Sequence, residues 1–260
     1  MKHSFFNRQD AAITLLYSPE SIGEAVALAR SAEMDGADAL AVELQRMPLE
    51  QRTEENFRSL MRTVRLPFMF IDYRNDRFLG EDDEARQQYL LLAAKAGAEV
   101  IDVIGDLYNP SPLELTHDPA AIEKQKDLIS RIHELGAKVL MSSHMTNTER
   151  SAEEVLEHLQ EQSSRGADIL KIVVAMGTEK AMLEGVRTLL LLHKELDKPF
   201  VFLGGGQYGR FIRYIGPKLG ASIEFAVHDY SPNQSYHQPT IRSFKGVMEH
   251  LHWDVNDLES

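Results

Sequence analysis

The chain has no cysteine in 260 residues. That excludes a disulfide framework, a thiolate nucleophile and a cysteine-ligated zinc site. It also has no apolar run of the ~18 residues that a membrane-spanning helix needs. The opening stretch, Met1 to Asp10, lacks the uninterrupted apolar core of a secretory leader, so the expectation is a cytoplasmic protein. Basic charge is scarce: 28 Lys and Arg stand against 40 Asp and Glu, for a net charge of −12. A nucleic-acid or anionic-membrane surface needs clustered cations, and this balance argues against both. No Gly-x-Gly-x-x-Gly follows the first apolar run, and the ten histidines form no His-Glu-x-x-His pattern. The expectation is therefore no dinucleotide cofactor and no metal.

What is present is a rhythm. Gly-Ala, a polar residue and then an apolar run recur at Gly36, Gly97, Gly136, Gly166 and Gly220. The spacings are one or two units of about thirty residues, the size of a strand plus its crossover helix. Glycine ends each helix and the small alanine lets the chain turn into the next strand. Strands are expected near 13–17, 39–44, 67–72, 99–104, 138–142, 168–174, 199–204 and 222–227. Helices are expected near 20–34, 49–63, 82–96, 118–135, 150–165, 178–196, 208–219 and 239–251. Eight alternations in one chain of this length predict an α/β protein, a single-domain (β/α)8 TIM barrel over residues 1–260, with a doubly wound open sheet as its rival. The long polar loops after strands three, four and eight are the expected substrate lids.

Chemistry in such a barrel sits at the carboxyl ends of the strands. The run Asp168-Ile169-Leu170-Lys171-Ile172-Val173-Val174-Ala175 reads as a strand buried on both faces with a lysine in it. A buried ammonium either finds a partner or loses its proton, and a neutral lysine captures ketones as Schiff bases. The bland reading is a lysine paired with a carboxylate. The preceding strand ends Met141-Ser142-Ser143-His144, which puts a proton-transfer group at the mouth one strand away. Lys171 with His144 is the minimum equipment for carbonyl capture followed by removal of the neighbouring proton.

These stretches, with Ser151-Ala152-Glu153-Glu154 and Gly209-Arg210-Phe211-Ile212-Arg213, resemble the centre of the type I 3-dehydroquinate dehydratases. The likeness is clear over roughly residues 130–250. It implies a barrel with a Schiff-base lysine (Lys171), an acid/base histidine (His144), an arginine for the substrate carboxylate (Arg213) and a late-loop glutamine (Gln238). It also implies a small hydroxy-ketone carboxylate as substrate, no cofactor, and a homodimer. The late-loop serine of the family has two candidates, Ser235 and Ser231. The first half departs from the family pattern. On strand two the family has Glu-x-Arg. Here Ala41-Val42-Glu43 stands at those positions, or Glu43 and Gln45 after a two-residue slide. On strand three Asp72-Tyr73-Arg74 stands where the family has Phe-Arg-Ser, so Arg74 fills the arginine's role through a one-residue shift. For the family's glutamate beside the histidine, Glu81 and Asp76 are the candidates. Rival readings are a Schiff-base lyase or aldolase for another hydroxy-ketone, and a non-catalytic ligand-binding barrel.

Weaker signals remain. Gly204-Gly205-Gly206 reads as a phosphate cradle, a lid or close backbone packing. Asp102 reads as a buried carboxylate paired with Lys171 or a barrel neighbour. His228, Asp229, Tyr236 and His237 read as substrate contacts or a plain polar loop. Lys218 and the acidic tail read as solvated.

Overall fold

The computed structural model describes residues 4–6, 8–230 and 238–258. Strands and helices alternate in the order β1 (Ala12–Tyr17), α1 (Ile22–Met34), β2 (Ala39–Glu43), α2 (Glu54–Met61), β3 (Phe68–Ile71), α3 (Asp83–Ala96), β4 (Val100–Ile104), α4 (Pro119–Glu134). They continue as β5 (Lys138–Met145), α5 (Ala152–Ser164), β6 (Ile169–Ala175), α6 (Glu179–Glu195), β7 (Phe200–Gly205), α7 (Gly209–Ile215), β8 (Ile223–Ala226), α8 (Ile241–His250). The strands form one 8-stranded sheet in the order β7-β6-β5-β4-β3-β2-β1-β8, with every pairing parallel. The Ser222 N–H donates to Phe200 O at 2.9 Å across the remaining seam, so the (β/α)8 barrel is nearly closed.

Alternation along each strand sorts side chains into two cores. The barrel interior holds Ala12, Ala39, Ala41, Met69, Ile71, Val100, Leu140, Ile169, Val173, Val201 and Phe225, with Phe5 from the amino-terminal segment packed among them. The opposite faces pack Leu40, Val42, Phe70, Ile101, Val139 and Ile172 against helical residues such as Phe57, Leu90, Ile129, Leu159 and Leu189. Each fully buried Leu or Phe contributes about 1.5–3 kcal/mol through removal of apolar area from water.

Helix starts follow local capping chemistry. Ser151 accepts from the Glu154 N–H while Glu154 accepts from the Ser151 N–H, a capping box that fixes the first turn of α5. Two expected helices are shorter than the sequence pattern. Residues 49–51 form a separate 3-10 turn, and α2 starts only after Thr53, whose hydroxyl accepts from the Asn56 N–H. The seventh helix stops at Ile215 and passes into a 3-10 turn over Gly216–Leu219, where Pro217 supplies no N–H to continue the α-helical ladder. Around residues 204–206 the backbone is closely packed, as one of the three readings had it. A Cβ on Gly209 would lie 2.3 Å from Gly204 O, so the chain can fold back on itself there only as glycine.

Candidate active site

The mouth of the barrel is built from inward-facing positions of several strands. Lys171 lies between the interior residues Ile169 and Val173 on β6 and is 4% exposed. Its backbone is fixed from behind by Gln162 of α5, which accepts from the Lys171 N–H at 3.1 Å and donates to Lys171 O at 3.0 Å. The Lys171 ammonium donates to Tyr73 Oη at 2.8 Å and lies 3.1 Å from His144 Nε2 and 3.6 Å from Asp102 Oδ2. Burial pulls the lysine below its ordinary pKa, and the carboxylates of Asp102, Glu43 and Glu114 oppose that without cancelling it. The amine therefore gives up its proton more readily than a surface lysine does.

His144 lies within β5, which runs on to Met145, past the expected end at 142. Its Nδ1 is 2.8 Å from Glu114 Oε2, and the same oxygen accepts the His144 backbone N–H at 2.8 Å. Burial would raise the Glu114 carboxyl, but the hydrogen bonds and charge of His144 outweigh it and hold it below its ordinary value. An ionised Glu114 favours the proton on Nδ1, which leaves the Nε2 lone pair facing Lys171. The histidine partner is thus Glu114, not Glu81 or Asp76. Asp76 is drawn the other way, into an ion pair with Arg52 at 2.6 Å, and Glu81 is exposed. The long β4–α4 loop folds back over the mouth and presents Glu114 with φ 46°, in the left-handed region. Ser143 Oγ donates to Glu114 O at 2.7 Å, and His158 Nε2 and Gln162 Nε2 converge on that hydroxyl at 2.8 and 3.1 Å.

The other expected residues divide. Glu43 points inward beside Gln45, and both reach Ser18. Burial raises Glu43, against the Ser18 hydrogen bond and the charges of Lys171 and His144. Arg74 lines the mouth cavity of about 250 Å³ with Tyr73, Asn75, Ile104, Glu114 and His144. Its guanidinium is taken up by Asp106 at 2.7 Å and Asp83 at 3.0 Å, and the inward position is occupied by Tyr73 instead. Arg213 does not line that cavity. It is buried on α7 within electrostatic reach of the buried Glu224, with Nε and Nη1 lacking hydrogen-bond partners. Burial lowers Arg213 and raises Glu224. Gln238 is half-buried, and its Oε1 also lacks a partner. Ser235, with Ser231, Tyr236 and His237, lies outside the described residues. His228 pairs with Asp35 at 3.1 Å. Asp102 pairs with Lys171, as one reading of the sequence had it. Among the described residues no group of three His, Asp or Glu is placed to hold a metal ion.

A sequence profile described as type I 3-dehydroquinase matches residues 19–254. The chain belongs to the type I 3-dehydroquinase family. A 3-dehydroquinate dehydratase of Alkaliphilus oremlandii is 30% identical over 141 residues, 54% of this chain and 53% of that protein. One from Klebsiella pneumoniae is 28% identical over 164 residues, 62% and 60% of the two chains. The chain thus spans little more than half the length of these curated relatives. The crystal structure of the type I 3-dehydroquinate dehydratase of Clostridium difficile superposes with a TM-score of 0.78 at 18% identity over 94% of each chain. That from Geobacillus kaustophilus gives 0.75 at 17% identity, over 93% of this chain and 91% of the other. Such likeness in structure establishes the fold of the 3-dehydroquinase barrel. No sequence signal pointed to Glu114 beyond the length and polarity of its loop.

Proposed function

We propose that the protein is a carbon–oxygen lyase that converts 3-dehydroquinate to 3-dehydroshikimate and water. The observation that carries this is the contact of buried Lys171, its pKa lowered by burial, with His144 Nε2 at 3.1 Å, in a chain of the type I 3-dehydroquinase family. Lys171 Nζ attacks the ketone carbon and water leaves, giving an iminium. His144 Nε2 takes the proton from the neighbouring carbon, and the electron pair moves into the iminium to form an enamine. His144 then hands that proton to the departing hydroxyl, and hydrolysis frees Lys171. Glu114 stabilises the imidazolium between the two transfers.

Arg213 is assigned the substrate carboxylate by family resemblance alone, since its guanidinium lies beside buried Glu224 and outside the mouth cavity. Gln238 and Ser235 join it by family resemblance, and Glu43 and Arg74 are left to read hydroxyls at the mouth. Resemblance also supports a homodimer in the cytoplasm, and exposed Leu183 and Leu190 on α6 give it an apolar face to bury. Equilibrium sedimentation decides the oligomeric state.

The test of the activity is enone absorbance from 3-dehydroquinate together with borohydride reduction. Wild type is expected to turn over and to carry a reduced adduct on Lys171. Lys171→Met is expected to lose the adduct and at least about a thousandfold in kcat. Adducts formed only with other ketones would refute the substrate.

A further inference from the structure

Two hydrogen-bond arms leave Lys171 Nζ, and the reaction as written uses one. The first runs to His144 Nε2 at 3.1 Å and on to Glu114 at 2.8 Å. The second runs to Tyr73 Oη at 2.8 Å, and that hydroxyl donates in turn to Asp102 Oδ2 at 2.9 Å. The other oxygen of Asp102 accepts from Ser142 Oγ at 2.6 Å. Asp102 and Ser142 are buried, so this arm ends away from solvent. The Tyr73 ring stands edge-on to His144 at 4.9 Å and 76°, which holds the hydroxyl in front of the amine.

Imine formation has a surplus proton to move. Once Lys171 has lost its first proton to His144, its lone pair forms the C–N bond and the C=O opens to an alkoxide. The alkoxide takes the proton back from His144. The nitrogen now carries two protons and a positive charge, and it must shed one before its lone pair can expel the hydroxyl. That hydroxyl must gain one to leave as water. The net change is one proton carried from nitrogen to oxygen, with nothing consumed.

We infer that Tyr73 is a further catalytic residue, which takes the surplus proton from the carbinolamine nitrogen as it passes its own to Asp102, and returns one to the departing hydroxyl. The inference rests on the imine reading of Lys171 and is independent of which ketone is the substrate. Its use is a division of labour. His144 comes out of imine formation neutral, with Nε2 free for the carbon-bound proton. Burial, then the charges of Asp102 and Glu43, push the Tyr73 phenol well above its ordinary value, so the hydroxyl conducts the proton and does not rest as a phenolate.

Pentane-2,4-dione tests it, because it captures an amine as an enaminone through the same carbinolamine without asking the site to recognise 3-dehydroquinate. Tyr73→Phe keeps the ring packing and removes only the hydroxyl. Enaminone formation on Lys171, followed by its ultraviolet absorbance and located by peptide mass, is expected to slow by about a hundredfold in this variant. The wild-type rate in mixtures of H2O and D2O needs no variant, and a relay moving two protons together makes that plot bow downward. Capture by Tyr73→Phe within about twofold of wild type overturns the relay, as does a linear plot. Wild type that forms the enaminone but leaves 3-dehydroquinate untouched overturns the proposed activity and not the relay. Wild type that forms no enaminone on Lys171 overturns both.

Discussion

Glu114 shows how much of a site can rest on one side chain that the sequence does not mark. Lys171 is legible because a charge inside a run of β-branched residues is costly and so demands a reason. His144 is legible because a strand-end position in a barrel is a position at the mouth. Glu114 sits between Leu113 and Leu115 in a loop with no periodicity, and only the folded loop brings it 2.8 Å from the histidine ring. Asp76 and Glu81 were closer to the expected place in sequence, but the Arg52 ion pair and solvent take them elsewhere. Glu114→Gln keeps the shape and removes the charge that supports the imidazolium. The expected outcome is a fall in kcat of about ten- to a hundredfold with KM little changed. Steady-state kinetics on 3-dehydroquinate check it, and a loss confined to KM would refute the assignment.

The element that delivers Glu114 is the β4–α4 loop, which is seated by several side chains. Arg165 donates to Gly105 O at 3.0 Å and Thr116 O at 2.6 Å, and Gln125 donates to Gly105 O at 2.9 Å. Gly105 itself is required by contact. A Cβ there would lie 2.5 Å from Glu114 O and 2.9 Å from Ser143 Oγ. Gly105→Ala must push the loop off the mouth. It is expected to destabilise the protein by about 1–3 kcal/mol in urea unfolding and to cut kcat as Glu114 leaves His144. Unchanged turnover would mean that the loop seats without this close approach. At this scale the sequence was a good guide to where elements lie, because periods of two and 3.6 are imposed by backbone geometry. It was a poorer guide to where α2 and α7 begin and end. Those limits depend on one cap, Thr53, and one missing N–H, at Pro217.

For the molecule as a whole, the nearly closed parallel barrel and its packed helices keep water from the groups inside, and pH acts on what is buried there. His158 is buried behind Ser143 and is pulled from 6.5 to about 4, first by burial and then by the positive charges of Arg150 and Arg165. In the unfolded chain it titrates near its ordinary value. Between these two values the unfolded state holds a proton that the folded state lacks, so stability is complete above 6.5 and falls as pH drops towards 4. The loss is at most about 3 kcal/mol. Asp72, raised to about 8 by burial and by Asp76, works in the opposite sense, since its folded form keeps a proton that the unfolded form has released. Comparison with His158→Gln isolates the histidine. The stability difference between wild type and variant is expected to change between pH 7 and pH 4.5, and an equal difference at both would show that His158 is not held neutral. The sequence by itself determined the alternation of strands and helices, the barrel it implies, and a lysine and a histidine aimed at one mouth. All of these follow from local periodicity and chain direction. Only the tertiary structure decided that Glu114 partners His144, that Arg74 is bound by two aspartates, that Arg213 faces Glu224, and that Tyr73 and Asp102 form a second arm on Lys171. Each of those contacts joins residues from separate elements, and their distances are fixed by strand register and loop packing, which no local pattern encodes.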